Sequence, residues 1–237
     1  MSRRLTVADL GPRSYIEVLE LQRRLCRERM AGERQGDVLL LVEHERVVTL
    51  GRGTRPSSLP LSPAALAQEG VAVVDVERGG DVTYHGPGQL VGYPVLDLRE
   101  HREDLHWYLR QLETVLIMAL SALGVPAERN PGLTGVWTRG RKIASIGIHV
   151  KQWVTFHGFA LNVTTDLREF DLIVPCGIEG VVMTSVAAEL GPSDARELWT
   201  ESRRAIVSAF GAVFAYEGVE PDGAERFEPP ASALGLV

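Results

Sequence analysis

The chain has 237 residues, a net charge of −6 and two cysteines. This length allows one large or two small domains, and the acidic balance disfavours generic nucleic-acid binding. Two cysteines without metal-ligand spacing indicate neither a disulfide framework nor a Cys-rich zinc site, so we expect no metal. No terminal apolar run is long enough to span a membrane, and 1–4 opens no signal peptide. We therefore expect a soluble, cytoplasmic protein without membrane partners.

The first half of the chain predicts one helix followed by short strands. Ser14 begins a capping-box pattern, which opens a helix that runs to about Ala31. The segments after it are strands at 37–42 and 47–50, a loop rich in Pro and Ser at 56–63, and a β-branched strand at 71–76.

The second half predicts two longer helices with a strand pair between them. A helix over about 105–123 has its leucines on one face and ends at Gly124. The later elements are strands at 143–150 and 154–163 around a polar turn, and a helix over about 193–214. The order indicates a mixed α/β (α+β) fold: a single domain over 1–218 with a mixed sheet and packed helices, followed by an irregular tail over 219–237.

Cys176 is the candidate nucleophile, because Pro175 and Gly177 place it on a turn. A free cysteine is also often a small buried apolar residue, so the local context leaves both a catalytic and a structural role open for Cys176. Cys26 shares helical spacing with apolar residues, and we expect it to be a core residue.

Two further stretches carry small residues next to predicted strands. The stretch 78–89 contains four glycines, so its backbone can approach a ligand closely, but no Gly-Lys-Ser/Thr follows and it is not a phosphate loop. Gly147, Gly158 and Ala160 lie within the predicted strand pair. Small residues inside a sheet mark a bulge or leave room for a ligand, and an elongated apolar ligand is one candidate.

These motifs resemble the lipoyl(octanoyl) transferases of lipoate biosynthesis. The blocks that carry the resemblance follow the family's order at 78–89, 142–147, 157–162 and 173–178, and 41–44 with 49–52 extend the match. The resemblance implies a fold like the catalytic domain of biotin and lipoate protein ligases. It also implies transfer of an octanoyl (or lipoyl) group from acyl carrier protein, with octanoyl-acyl carrier protein as the octanoyl donor. The acceptor would be a specific lysine of a lipoyl domain, in 2-oxoacid dehydrogenase complexes or in the glycine cleavage H protein. No cofactor is expected.

The resemblance also assigns site residues. Cys176 would hold the acyl group as a thioester, and Lys142 would activate its thiol, either as a nearby cation or as a proton acceptor. Backbone amides would bind the thioester carbonyl, and Tyr84, Ile146, Ile148 and Phe159 would form apolar walls. His85 and His157 are candidate general bases, because histidine titrates near neutral pH. The implied substrate-binding residues are Arg78, Gly79, Gly80, Asp81, Val82, Thr83, Tyr84, His85, Ser145, Ile146, Gly147, Gly158, Phe159 and Ala160.

Three other functions remain open from the residues. An ATP-dependent lipoate or biotin ligase would share the fold, and Gly51-Arg52-Gly53 faintly resembles the Gly/Arg-rich loop of biotin ligases. A Cys-His thioester hydrolase would pair Cys176 with His85 or His157 and release free acid. A carrier-binding protein without activity would tolerate loss of the cysteine.

Overall fold

The computed structural model describes residues 3–177, 180–222 and 227, and the side chains of Cys176, Pro221 and Asp222 lie outside that description. Within the described residues, no helix has the length and apolar character needed to cross a bilayer. The strands are β1 (Arg4–Arg13), β2 (Asp37–His44), β3 (Val47–Leu50), β4 (Ala72–Asp75), β5 (Val82–His85), β6 (Gln89–Val95), β7 (Val136–Thr138), β8 (Arg141–Lys151), β9 (Val154–Asn162) and β10 (Gly218–Asp222).

The helices begin at side-chain caps that the sequence carries. Ser14 Oγ accepts a hydrogen bond from the Glu17 amide at 3.3 Å, and Asp104 Oδ1 accepts one from the Trp107 amide at 2.9 Å. Such caps satisfy amides that the first helical turn leaves without partners. The helices are α1 (Tyr15–Met30), α2 (Pro63–Gln68), α3 (Leu105–Ala122), α4 (Val186–Leu190) and α5 (Ala195–Val213).

A seven-stranded mixed sheet in the order β10-β1-β2-β6-β9-β8-β7 has helices on both faces. Successive residues of β2 point to opposite faces. Leu39 and Leu41 therefore join the core under α3 and α5, whereas Val38 and Leu40 join the core under α1. All four side chains are almost completely buried, which explains the continuous apolar run of this central strand.

A second sheet, in the order β4-β3-β5, lies on the α1 side and has its own small core. Strand β3 is parallel to β4 and antiparallel to β5. The loop 78–81 connects this sheet to the large one, since the Gly79 amide donates to the carbonyl of Ile148 on β8 at 2.8 Å. This connection encloses the space between the two sheets.

The predicted mixed sheet with packed helices is confirmed, as are the three long helices and the strand pair β8 and β9. The prediction of an irregular tail is wrong over Val219–Asp222, because β10 pairs in parallel with β1. Strand β10 has little apolar content and contains Pro, so its stability comes from pairing at the sheet edge and not from its composition. The domain limits stay a prediction, and of the chain after 222 only Phe227 is described; its ring is buried against the α1 core.

Candidate active site

A cavity of about 200 Å³ lies between the α1 side of the large sheet and the loop 78–81. A cavity of about 150 Å³ holds a benzene molecule, so this one has room for a small acyl group. Lys142 lines it, together with all the predicted substrate-binding residues except Tyr84. The structure thus brings these residues to one place, and their roles remain predictions. The other wall residues are Tyr15, Val91, Tyr93, Gly132, Leu133, Thr134 and His157.

Tyr84 and Ile148 point away from the cavity. On β5, Thr83 and His85 face it, so the alternation of a strand turns Tyr84 toward the core of the small sheet. There its ring packs edge-on against Phe170 with centroids 5.7 Å apart, and burial raises the pKa of Tyr84 to about 12. Ile148 packs against the core under α3 and α5. Neither side chain walls the cavity, contrary to the sequence expectation.

Arg78 shapes the glycine-rich loop. Its guanidinium donates to the Thr49 carbonyl at 2.7 Å, to the Thr49 hydroxyl at 2.9 Å and to the Asp81 carbonyl at 2.7 Å. The side chain is almost entirely buried, so these charge-assisted hydrogen bonds hold the loop against β3. Arg78 therefore builds the cavity wall with the guanidinium directed into the protein.

Some of the backbone amides that were expected to bind an oxyanion already donate hydrogen bonds within the protein. The Gly79 amide donates to Ile148, and the Val82 amide donates to Asp81 Oδ1 at 2.7 Å. An amide N–H that already has a good partner offers no second hydrogen bond to a ligand. The amides of Gly79 and Val82 are therefore not available for the expected binding of the thioester carbonyl.

Neighbouring atoms of the protein leave little room for a side chain at the two glycines of the strand pair. A Cβ on Gly147 would approach Arg78 Cδ and the Gly79 carbonyl oxygen to 3.0 Å each. A Cβ on Gly158 would collide with the carbonyl of Gly92 on the neighbouring strand. Close packing explains both glycines, which leaves Ala160 as the small residue whose side chain faces the cavity.

Lys142 is a buried lysine in the cavity wall. Its side chain is 2 % exposed, and its ammonium lies 5.0 Å from the centroid of the Trp137 ring, within cation–π range. Its backbone pairs with the segment that follows the cysteine turn, since its amide donates to the Val182 carbonyl at 2.8 Å and its carbonyl accepts from the Thr184 amide at 2.9 Å. This pairing anchors the downstream side of the turn beside Lys142.

The backbone of Cys176 lies in a 3₁₀ turn, Pro175–Gly177, and its side chain lies outside the described residues. The Val174 amide donates to the Ser58 carbonyl at 2.9 Å, and Arg55 Nη2 donates to the Gly177 carbonyl at 2.5 Å. Gly177 has φ of 64°, which favours glycine. A Cβ there would also strike Asp81, a cavity residue, so the turn is held directly against the cavity wall.

His85 is held neutral and in one tautomer. Gln89 uses its amide nitrogen as donor to the Tyr84 carbonyl at 3.2 Å and to Asn162 Oδ1 at 3.0 Å. Its oxygen therefore accepts from His85 Nδ1–H at 2.7 Å, which leaves the lone pair on Nε2. Burial lowers the pKa of His85 to about 3. Such a weak base is poorly matched to deprotonate a thiol or an amine at neutral pH.

His157 is a second neutral imidazole, buried in the cavity wall. Burial lowers its pKa to about 3, although Glu77 opposes that shift. The argument against His85 as a general base applies to it equally.

Cys26, by contrast, is buried on α1, and burial raises the pKa of its thiol to about 11. The sequence prediction that it is a core residue is confirmed.

Several wall residues had no signal in the sequence. Tyr15 shares the apolar face of α1 and lines the cavity with Tyr93 of β6, a strand that the sequence analysis missed. Arg55 lies outside the cavity wall, where it contacts Gly177 of the cysteine turn, and it directly precedes the loop predicted at 56–63. Contacts across the fold, and no local pattern, bring these side chains to the site.

The fold is that of lipoate protein ligases. A lipoate-protein ligase A bound with ATP aligns with a TM-score of 0.70 at 17 % identity, covering 96 % of this chain and 92 % of that one. A bi-partite lipoate protein ligase from Thermoplasma acidophilum, studied with its E2 lipoyl domain, aligns with a TM-score of 0.69 at 18 % identity over 96 % and 90 %.

The lipoyl protein ligase A/B catalytic domain matches residues 14–210, and the chain belongs to this family. An octanoyltransferase of Chloroflexus aurantiacus is 48 % identical over 91 % of this chain and 96 % of its own. One of Nostoc punctiforme is 44 % identical over 92 % of each chain. The protein is a transferase enzyme that carries out octanoyl transfer in lipoate biosynthesis.

Proposed function

We propose that the enzyme takes an octanoyl group from acyl carrier protein, holds it on Cys176 as a thioester and passes it to a specific lysine of a lipoyl domain. The observation that carries this proposal is the cavity itself. Its wall includes Lys142, and Asp81 of the same wall contacts the turn that bears Cys176. A nucleophile, a lysine and space for an apolar chain are the components that acyl transfer requires.

The first step is thioester exchange. The thiolate of Cys176 attacks the carbonyl of the carrier-bound octanoyl thioester, a new C–S bond forms and the C–S bond to the carrier breaks. The carrier sulfur leaves as a thiol with the proton that Cys176 released. Free cysteine has a pKa of about 8.5, so little of it is thiolate at neutral pH. Lys142, a buried residue, either stabilises the thiolate as a cation or accepts the proton of the Cys176 thiol.

The second step is aminolysis. The neutral amine of the acceptor lysine attacks the Cys176 thioester, a C–N bond forms and the C–S bond breaks. The amine gives up one proton as the thiol is restored. Exchange between thioesters is nearly isoenergetic, and amide formation draws the second step forward.

Lipoyl domains of 2-oxoacid dehydrogenase complexes or the glycine cleavage H protein are the proposed acceptors, and the cytoplasm is the proposed compartment. The structure of the Thermoplasma ligase with its E2 lipoyl domain supports the acceptor class. Relatives named octanoyltransferase support transfer over ATP-dependent ligation. The low pKa of His85, about 3, argues against a Cys-His hydrolase.

The test incubates the enzyme with octanoyl-acyl carrier protein and a lipoyl domain, without nucleotide. We expect one octanoyl mass on the lipoyl domain, at a rate that ATP leaves unchanged. A strict ATP requirement with free octanoate as donor would establish the ligase function, and release of octanoate with no modified lipoyl domain would establish the hydrolase.

A further inference from the structure

A bulge in β8 turns Lys142 toward the cavity. Ala144 and Ile146 alternate along this strand toward the core under α3 and α5. Regular alternation would place Lys142 in that core as well, yet it lines the cavity on the other side of the sheet. The pairing of β7 with β8 shifts by one residue just before Trp137, and the extra residue, Ile143, joins the core. The bulge therefore reverses the face of the strand at Lys142.

The same bulge places Lys142 directly opposite Trp137 of β7. The backbone N–H and C=O of Trp137 pair with Glu128, and those of Lys142 pair with Val182 and Thr184. The two residues thus form a non-hydrogen-bonded antiparallel pair, in which side chains on one face of the sheet lie closest together. The Lys142 ammonium accordingly lies 5.0 Å from the Trp137 ring centroid, and both side chains are almost completely buried.

Gly135, two residues before Trp137, leaves room for the Lys142 side chain. Its φ is 126°, a value that favours glycine, and a Cβ there would approach Lys142 Cε to 2.9 Å and Nζ to 3.4 Å. The Gly135 amide donates to Glu113 Oε1 of α3 at 3.4 Å. Arg110 and Arg129 pair with the other carboxylate oxygen of Glu113 at 2.6 and 2.9 Å. Glu113 thus anchors the Gly135 backbone, and arginines balance its charge.

The other carboxylates of this region also have arginine partners. Glu189 of α4 accepts from the Thr184 hydroxyl at 2.7 Å and pairs with Arg141 at 2.8 Å. Asp81 of the cavity wall pairs with Arg55 at 3.4 Å. Because these carboxylates are already held by arginines, they do not replace the contact between the ammonium and the indole when the indole is removed.

We propose that Trp137 is a positioning residue of the transfer reaction and acts through Lys142. The electron-rich face of the indole attracts an ammonium and not a neutral amine, so it stabilises the protonated lysine where that lysine supports the Cys176 thiolate. The protonated form is present whether Lys142 begins as a cation or accepts the thiol proton. The inference rests on the proposed role of Lys142 in activating Cys176.

The experiment measures the pH profile of Cys176 alkylation by iodoacetamide, together with kcat and KM for octanoyl transfer, in a double-mutant cycle. Trp137→Leu removes the ring and keeps an apolar side chain, and Lys142→Met removes the cation and keeps an unbranched chain. Trp107→Leu is the matched control, because this half-buried indole on α3 contacts the rings of His101 and Phe214 instead. Circular dichroism and melting temperature verify the fold of each variant.

We expect Trp137→Leu to move the midpoint of the alkylation profile about one pH unit higher and to lower kcat about tenfold with little change in KM, as a desolvated cation–π contact predicts. In Lys142→Met, the same substitution should move the midpoint no further, and Trp107→Leu should keep the wild-type profile. An unchanged midpoint in folded Trp137→Leu, or an equal shift in the Lys142→Met background, would overturn the inference. An unchanged midpoint in Lys142→Met alone would instead overturn the proposed activation by Lys142.

Fluorinated tryptophan tests the same contact without changing the shape of the side chain, and it decides the question if Trp137→Leu does not fold. Fluorine weakens the negative face of the ring and hence its attraction for a cation. Biosynthetic replacement of the four tryptophans should move the alkylation midpoint to higher pH as the number of fluorine atoms rises. Trp137→Phe should remove this dependence. A midpoint that ignores fluorination in the wild type, or follows it equally in Trp137→Phe, would overturn the inference.

Discussion

Arg55→Ala tests whether a loop arginine positions the nucleophile turn. Arg55 Nη2 donates to the Gly177 carbonyl at 2.5 Å, and its Nε lies 3.4 Å from Asp81 Oδ2. The Arg55 side chain is 62 % exposed, so we assign the interaction about 1–1.4 kcal/mol, just below the usual range for a charged hydrogen bond. That energy corresponds to about a five- to tenfold lower population of the reactive turn.

The assay measures two rates in the same preparation: alkylation of Cys176 by iodoacetamide, and octanoyl transfer as kcat/KM. Both should fall about five- to tenfold in Arg55→Ala while the melting temperature changes little. Arg55→Lys should recover only part of the loss, because the lysine ammonium keeps the positive charge but lacks the planar set of donors that a guanidinium has.

Arg168→Ala is the matched control, since Arg168 pairs with Asp166 at 2.5 Å on the surface and both side chains are exposed. Wild-type alkylation and transfer rates in Arg55→Ala would refute the reasoning. Equal losses in Arg168→Ala would trace the effect to surface charge and not to the turn.

Two further predictions concern Lys142 and a buried histidine. Lys142→Ala should move the pH profile of Cys176 alkylation to higher pH and slow octanoyl transfer. Lys142→Arg should also transfer slowly, because arginine cannot accept the proton of the Cys176 thiol. An unchanged alkylation profile in Lys142→Ala would remove Lys142 from the activating role. Burial lowers the pKa of His44 to about 4. Its unfolded pKa is about 6.5, so the stability tied to the neutral ring is present above that value and is lost as the pH falls toward 4. Between pH 7 and 5 the loss is about 2 kcal/mol. Urea unfolding of His44→Gln should lack that portion, and an unchanged pH dependence would contradict it.

The sequence predicts elements well where a single face or cap dominates. The apolar face of α3 and the cap at Ser14 appear in the structure as expected. Strand β5 was hidden inside the glycine-rich stretch, because its pairing with β3, and not its own composition, makes it a strand. Strand β10 was missed for the same reason.

The candidate site shows the same division. The ordered blocks of residues predicted which segments line the cavity. The direction of the Tyr84 side chain was not predicted, because it depends on the alternation of side chains along β5, which the sequence analysis had not identified as a strand. The small size of Gly158 suggested space for a ligand, whereas the Gly92 carbonyl occupies that side. Arg55 and His157 gain their places from contacts with Gly177 and Glu77, which are distant in sequence. A linear pattern carries no signal for such contacts.

The covalent intermediate is the most direct test of the account. Intact-mass analysis after incubation with octanoyl-acyl carrier protein, without a lipoyl domain, should show one added octanoyl group, and peptide mapping should locate it on Cys176. Adding a lipoyl domain should discharge it. Cys176→Ser should abolish transfer, whereas Cys26→Ser should transfer at nearly the wild-type rate, since Cys26 is buried and burial raises its thiol pKa to about 11. Full transfer activity in Cys176→Ser, or octanoylation at any other residue, would contradict the mechanism.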